Sequence, residues 1–183
     1  MKKIIGTLIM KFGGWTEYYP ENFAIDKSVM ISAPYTSFWD YVYTISSFWK
    51  NGYTIKVLFE QKSHFGIRSA ICKICDGINL TEIDGKMTHH MSDVFNSTDK
   101  MMLIVPTEGS RKKVDRWKTE FYEIAIHANV PVLLGYLDYE DKIVGIGASI
   151  NITDDFKSDM IKIQDFYKNF SAKYPENYNE KIC

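Results

Sequence analysis

Disulfides, membrane spans and a strong charge of either sign are all missing from this chain. Three cysteines, Cys72, Cys75 and Cys183, make no disulfide framework, and no secretory signal precedes the domain. A reducing, cytoplasmic setting is therefore expected. Cys72 and Cys75 have zinc half-site spacing, but no second CxxC and no histidine pair at finger spacing accompanies them. At i, i+3 on a helix they read as small core residues, and no metal site is expected. No segment approaches the roughly 18–20 apolar residues of a membrane span. A net charge of -1 gives no global basic field, which argues against nucleic acid as a partner. Internal repeats and linkers are absent as well.

What is present fits one domain over residues 1–183, with 45% hydrophobic and 25% charged residues. Aromatic residues are plentiful at 15%, as expected for a large core, an apolar ligand cleft or an interfacial surface. The N-terminal stretch MKKIIGTLIMKFGGW is apolar, carries Lys2, Lys3 and Lys11, and ends at Trp15. Residues 1–13 thus read as a helix with two uses: packed on the core, or lying in a bilayer interface with its lysines at the headgroups. Residues 171–183 read as a polar tail.

Between these ends, apolar runs at 28–33, 53–59, 100–105, 130–139 and 142–150 read as strands, the last two paired through a turn at Glu140 and Asp141. Helical spacing marks 36–49, with Thr36 or Ser37 as N-cap, then 65–75, 88–97, 115–128 and roughly 153–170. The 115–128 helix is expected to bury Trp117, Phe121, Ile124 and Ala128 on one face. Residues 76–79 form a turn and a brief extended piece. This alternation predicts an α/β fold: a single domain with a mostly parallel or mixed central sheet flanked by helices.

Polar chemistry in such folds gathers beyond the carboxyl ends of the strands. Two strands here end in proline and then a polar cluster: Pro34 with Tyr35 to Asp40, and Pro106 with Glu108 to Arg111. If the strands are neighbours, both clusters face one cleft. In the second, Gly109 allows close backbone approach, Ser110 can donate to an anionic oxygen, and Arg111 offers a planar fork for phosphate or carboxylate. Glu108 can anchor a polar partner.

Together, the strand, the proline, YTSFWD and the later PTEGSR resemble the glycerophospholipid acyltransferase family, in particular its small bacterial members. That family is marked by a His-x-x-x-x-Asp box and a Glu-Gly-Thr-Arg box, and the resemblance runs from about Gly14 to Gly147. It implies a glycerolipid-acyltransferase-like fold. It also implies transfer of an acyl group from acyl-CoA or acyl carrier protein, as donor substrate rather than bound cofactor, to a hydroxyl of a lysophospholipid-like acceptor. The setting implied is cytoplasmic or peripheral on the inner face of the cytoplasmic membrane. By the same resemblance Asp40 matches the box aspartate that orients the base. Glu108, Gly109 and Arg111 match the acceptor-phosphate box, with Ser110 for its threonine.

Two positions depart from the family pattern. Tyr35 stands where the general-base histidine belongs, and Glu82 stands where the middle box GINLTE would carry an arginine. A phenol with a pKa of about 10 is a poor base at pH 7. Tyr35 is therefore expected to donate a hydrogen bond to Asp40 and fill the imidazole's space. His89 or His90 offers an alternative base. Two readings follow: an acyltransferase with weak, altered or absent activity, or a non-catalytic protein that binds a lipid, an acyl chain or a partner through the retained cleft.

Overall fold

The computed structural model describes residues 1–20, 26–59, 77–79 and 87–179. They form an α/β domain built on one seven-stranded sheet. In chain order the strands are β1 (Thr16–Tyr18), β2 (Lys27–Ala33), β3 (Ile55–Phe59), β4 (Ile78–Asn79), β5 (Met101–Val105), β6 (Val132–Asp138) and β7 (Ile143–Ile150). Their spatial order is β1-β7-β6-β2-β5-β3-β4. Every neighbouring pair is parallel except the β6–β7 hairpin. The helices are α1 (Lys2–Gly13), α2 (Phe38–Asn51), α3 (Met87–Asn96), α4 (Glu120–Ala128) and α5 (Phe156–Tyr167), with a short 3-10 turn at Pro175–Asn177.

The two-residue period of a strand explains how the core divides. Along β2, Val29, Ile31 and Ala33 join the layer packed against Met91 and Phe95 of α3, Phe121 and Ile124 of α4, and Ile163 and Tyr167 of α5. Met30 points the other way, into a cluster with Ile45 and Phe48 of α2. With both faces covered, the strand is an unbroken apolar run rather than an alternating one. Tyr167 reaches across this layer, its hydroxyl 2.7 Å from the Gly135 carbonyl and 3.2 Å from that of Ile31. The Gly135 carbonyl lies where the β6–β7 register shifts, between Leu134 and Gly135.

Helix α1 packs on α2 through Gly6, where an added Cβ would stand 2.5 Å from the Ser46 carbonyl oxygen. Trp15, just beyond the helix, enters a small third cluster with Met10, Leu137 and Val144.

Two expectations change, and one element is new. The helix read over 115–128 begins only at Glu120, because the Lys118 amide bonds to the Thr107 carbonyl at 2.7 Å and holds the preceding stretch in a loop. Trp117 is still buried, but from that loop. The segment read as a polar tail packs onto the domain through 179, burying Ala172 and Tyr178. Thr16–Tyr18 forms a separate edge strand. The helix read over 65–75, with Cys72 and Cys75, lies outside the described residues, as do His64, Glu82 and Cys183.

Candidate functional site

Strands β2 and β5 are parallel neighbours in the register Ile31 opposite Val105, so both polar clusters leave the sheet at the same end. β6 flanks β2 on the other side, with Ala33 opposite Tyr136, and brings its hairpin to that end too. Three connections therefore meet at the carboxyl ends of three central strands, the usual place for a site in an open α/β sheet.

The first connection is organised by the start of α2. Ser37 is the N-cap and its hydroxyl oxygen accepts from the Trp39 amide at 3.1 Å. Asp40, three residues later, closes a capping box: its Oδ2 accepts from the Thr36 and Ser37 amides, each at 2.7 Å. Its Oδ1 accepts from the hydroxyl of Tyr139, just past β6, at 2.5 Å. Asp40 is only 1% exposed. Burial pushes its carboxyl up from the usual range, opposed by the Tyr139, Thr36 and Ser37 donors and by the charge of Lys173. Burial and the bond to Asp40 also raise the Tyr139 phenol. The phenol on the Asp40 carboxylate is thus that of Tyr139, where the sequence pointed to Tyr35.

Tyr35 joins the second connection through its backbone. Its amide donates to Glu108 Oε1 at 2.7 Å, latching the β2–α2 turn to the loop after β5. Glu108 is buried. Loss of hydration is the main reason its carboxyl is pushed up to about 8; the Tyr35 amide opposes the shift and the charge of Asp40 adds to it. With its pKa near 8, Glu108 is mostly protonated at pH 7, which spares the site a second buried charge near that of Asp40.

Beyond Glu108 the loop turns to solvent. Gly109 is exposed and has φ +63, a left-handed conformation that favours glycine, with the Lys118 side chain packed against it. The Ser110 hydroxyl oxygen accepts from the Lys112 amide at 3.1 Å, and Arg111 is exposed. The structure gathers Tyr35, Asp40 and Glu108, and leaves Gly109, Ser110 and Arg111 on the rim. His89 and His90 are exposed on α3, where the His89 ring lies 5.8 Å from that of His127 on α4.

Sequence reasoning did not single out Tyr139, Lys173 or Tyr174. The Tyr174 amide donates to Thr36 Oγ1 at 3.2 Å, and the Tyr139 amide donates to the Ser171 carbonyl at 2.9 Å. Tyr139 could have been suspected, since it follows the carboxyl end of a strand. The contacts of 171–179 carry no local signal. Trp15 stacks on Tyr43 and meets Tyr139 edge-on, with centroids at 4.5 and 4.8 Å, so a line of rings joins the end of α1 to the partner of Asp40.

No family model and no curated protein matches the chain. Among solved structures it is similar to the 1-acyl-sn-glycerophosphate (LPA) acyltransferase PlsC from Thermotoga maritima, with a TM-score of 0.61. The match covers 93% of this chain and 80% of that one at 13% identity. The likeness is one of fold: this chain has an acyltransferase-like α/β architecture.

Proposed function

We propose that this protein holds a lysophospholipid-like or acyl ligand at the carboxyl ends of β2, β5 and β6, on an acyltransferase framework without efficient transfer. One observation carries the reading: both Asp40 oxygens are engaged, by the capping amides and by Tyr139. An aspartate that orients a histidine base directs an acceptor lone pair at the imidazole N–H; here the Tyr139 hydroxyl is the side-chain donor on Oδ1, and Tyr35 stands where that base would be. Acyl-CoA or acyl carrier protein is the natural donor for any residual transfer. General acid–base help contributes typically 10²–10⁴-fold, and that is the scale of the expected deficit.

The decisive experiment measures binding and transfer separately, with a fluorescent lysophosphatidate and palmitoyl-CoA. The wild type should bind without appreciable transfer. Tyr35→His should raise transfer modestly, and Tyr35→His with Tyr139→Phe, which frees Asp40 Oδ1, by a further factor of about 10 or more. Efficient wild-type turnover abolished by Asp40→Asn would defeat the proposal, as would failure to bind either compound.

A bilayer surface is the proposed place of work. Helix α1 buries Gly6 on α2 and Met10 in the cluster with Trp15, Leu137 and Val144, and exposes Ile4, Leu8 and Phe12, the last 85% exposed, as one stripe flanked by Lys2, Lys3 and Lys11. Twelve residues span only about 18 Å, so the helix would lie in the interface rather than cross it. No helix among the described residues is long and apolar enough to cross a membrane.

A further inference from the structure

The ammonium of Lys173 lies over three aromatic rings, 5.7 Å from the centroid of Trp39, 5.9 Å from Tyr139 and 5.7 Å from Tyr174. The rings come from three parts of the chain: the first turn of α2, the β6–β7 hairpin and the C-terminal segment. Each distance is near the outer limit for an ammonium held by a ring face, about 6 Å. The primary ammonium thus makes only loose contact with each ring, and a methylated one, being larger, would approach them more closely. Trp39 and Tyr174 are each nearly half exposed, at 48% and 43%, so the enclosure opens to solvent.

The surroundings favour a cation. Asp40 is close enough for the Lys173 charge to lower its pKa, and it accepts the Tyr139 hydroxyl, which enriches that ring in electron density and strengthens its attraction for a cation. Two of the rings have contacts that do not involve the lysine, Tyr139 through its hydroxyl on Asp40 and Trp39 through its stack on Tyr43, and the backbone around Lys173 is tied down as well. On either side of Lys173, the Tyr139 amide bonds to Ser171, the Ser171 hydroxyl to Glu140 at 3.2 Å, and the Tyr174 amide to Thr36. Further on, Tyr178 is buried and the Asn179 amide group donates to the Val114 carbonyl at 2.8 Å. Removing the ammonium should leave the backbone that carries Tyr139 and Tyr174 in place.

We propose that Trp39, Tyr139 and Tyr174 form a binding cage for a quaternary ammonium group, closed in this structure by the chain's own Lys173. The ligand class is a choline-type headgroup, on a lysolipid or free. Lys173 acts as an internal competitor that swings out when the methylated ammonium enters. The lysolipid setting rests on the function proposed above; the cage chemistry does not.

The test is ligand-observed NMR of tetramethylammonium, and of a short-chain lysophosphatidylcholine below its micelle concentration. Each is titrated against wild type, Lys173→Ala, Lys173→Met and Lys173→Ala with Trp39→Leu, with thermal melts to establish that each is folded. Emptying the cage should tighten tetramethylammonium binding at least tenfold over wild type, and adding Trp39→Leu should abolish the gain. Lys173→Met, which keeps the aliphatic stem, serves if the alanine variant is unstable. A lysolipid that outcompetes tetramethylammonium identifies the headgroup as lipid-borne; equal affinities identify a free ammonium ligand. Equal binding by all folded variants, or none by any, overturns the cage. Ammonium binding without acyl binding leaves the cage standing while the proposed function fails. Acyl binding without an ammonium response does the reverse.

Discussion

Asp40 and Glu108 are both carboxyl groups taken out of water, and they meet the cost differently. Asp40 is surrounded by donors, whereas Glu108 has one amide and keeps its proton. For Glu108 the pH consequence has a definite sign. Its pKa rises from 4.5 unfolded to about 8 folded, so between these values the folded state holds a proton that the unfolded chain has released. Stability from this group is therefore fully present below the unfolded pKa and is lost as pH rises toward 8. The slope is at most about 1.4 kcal/mol per pH unit. Urea titrations should show this decline in wild type and a flatter profile in Glu108→Gln. Asp40→Ala removes the capping box and the carboxylate that accepts the half-buried Tyr139 hydroxyl; the same titration should register a loss of roughly 1–2 kcal/mol.

At the scale of elements, the pairing of α1 with α2 depends on the missing side chain at Gly6. Gly6→Leu should pry the helices apart and cost about 1–3 kcal/mol in a thermal or urea melt, because the added Cβ alone would collide with the Ser46 carbonyl. Leu8→Glu with Phe12→Glu, on the exposed stripe, should change stability by no more than about 0.5 kcal/mol while abolishing flotation with anionic vesicles. Most elements were legible in the sequence because their signals are local. The apolar runs gave the central strands, and Thr36 or Ser37 as N-cap gave the start of α2. Helix α4 was read too long because the buried Trp117 fits its periodicity, yet the fixed point is the bond of Lys118 to Thr107, invisible to a periodic pattern.

Taken whole, the molecule brings distant parts of its chain to one end of the sheet, and this is where sequence reading reached its limit. The two proline-ended clusters declared themselves as polar breaks after apolar strands. Tyr139 reaches Asp40 across 99 positions and Tyr174 reaches Thr36 across 138, and no spacing rule connects such pairs. Buried Tyr178 belongs to the same layer. Tyr178→Ala should lower stability by about 3 kcal/mol, measured by urea titration, although the sequence reads there as tail. The contact between Tyr174 and Thr36 also sets an order of events during synthesis. β2 and its turn emerge early, but the turn waits for the hairpin with Tyr139 and then for residues 171–179. A nascent chain arrested before Tyr174 would carry most of the sheet but lack the bond that ties down the β2–α2 turn, so the proposed binding end is completed only once residues 171–179 have emerged.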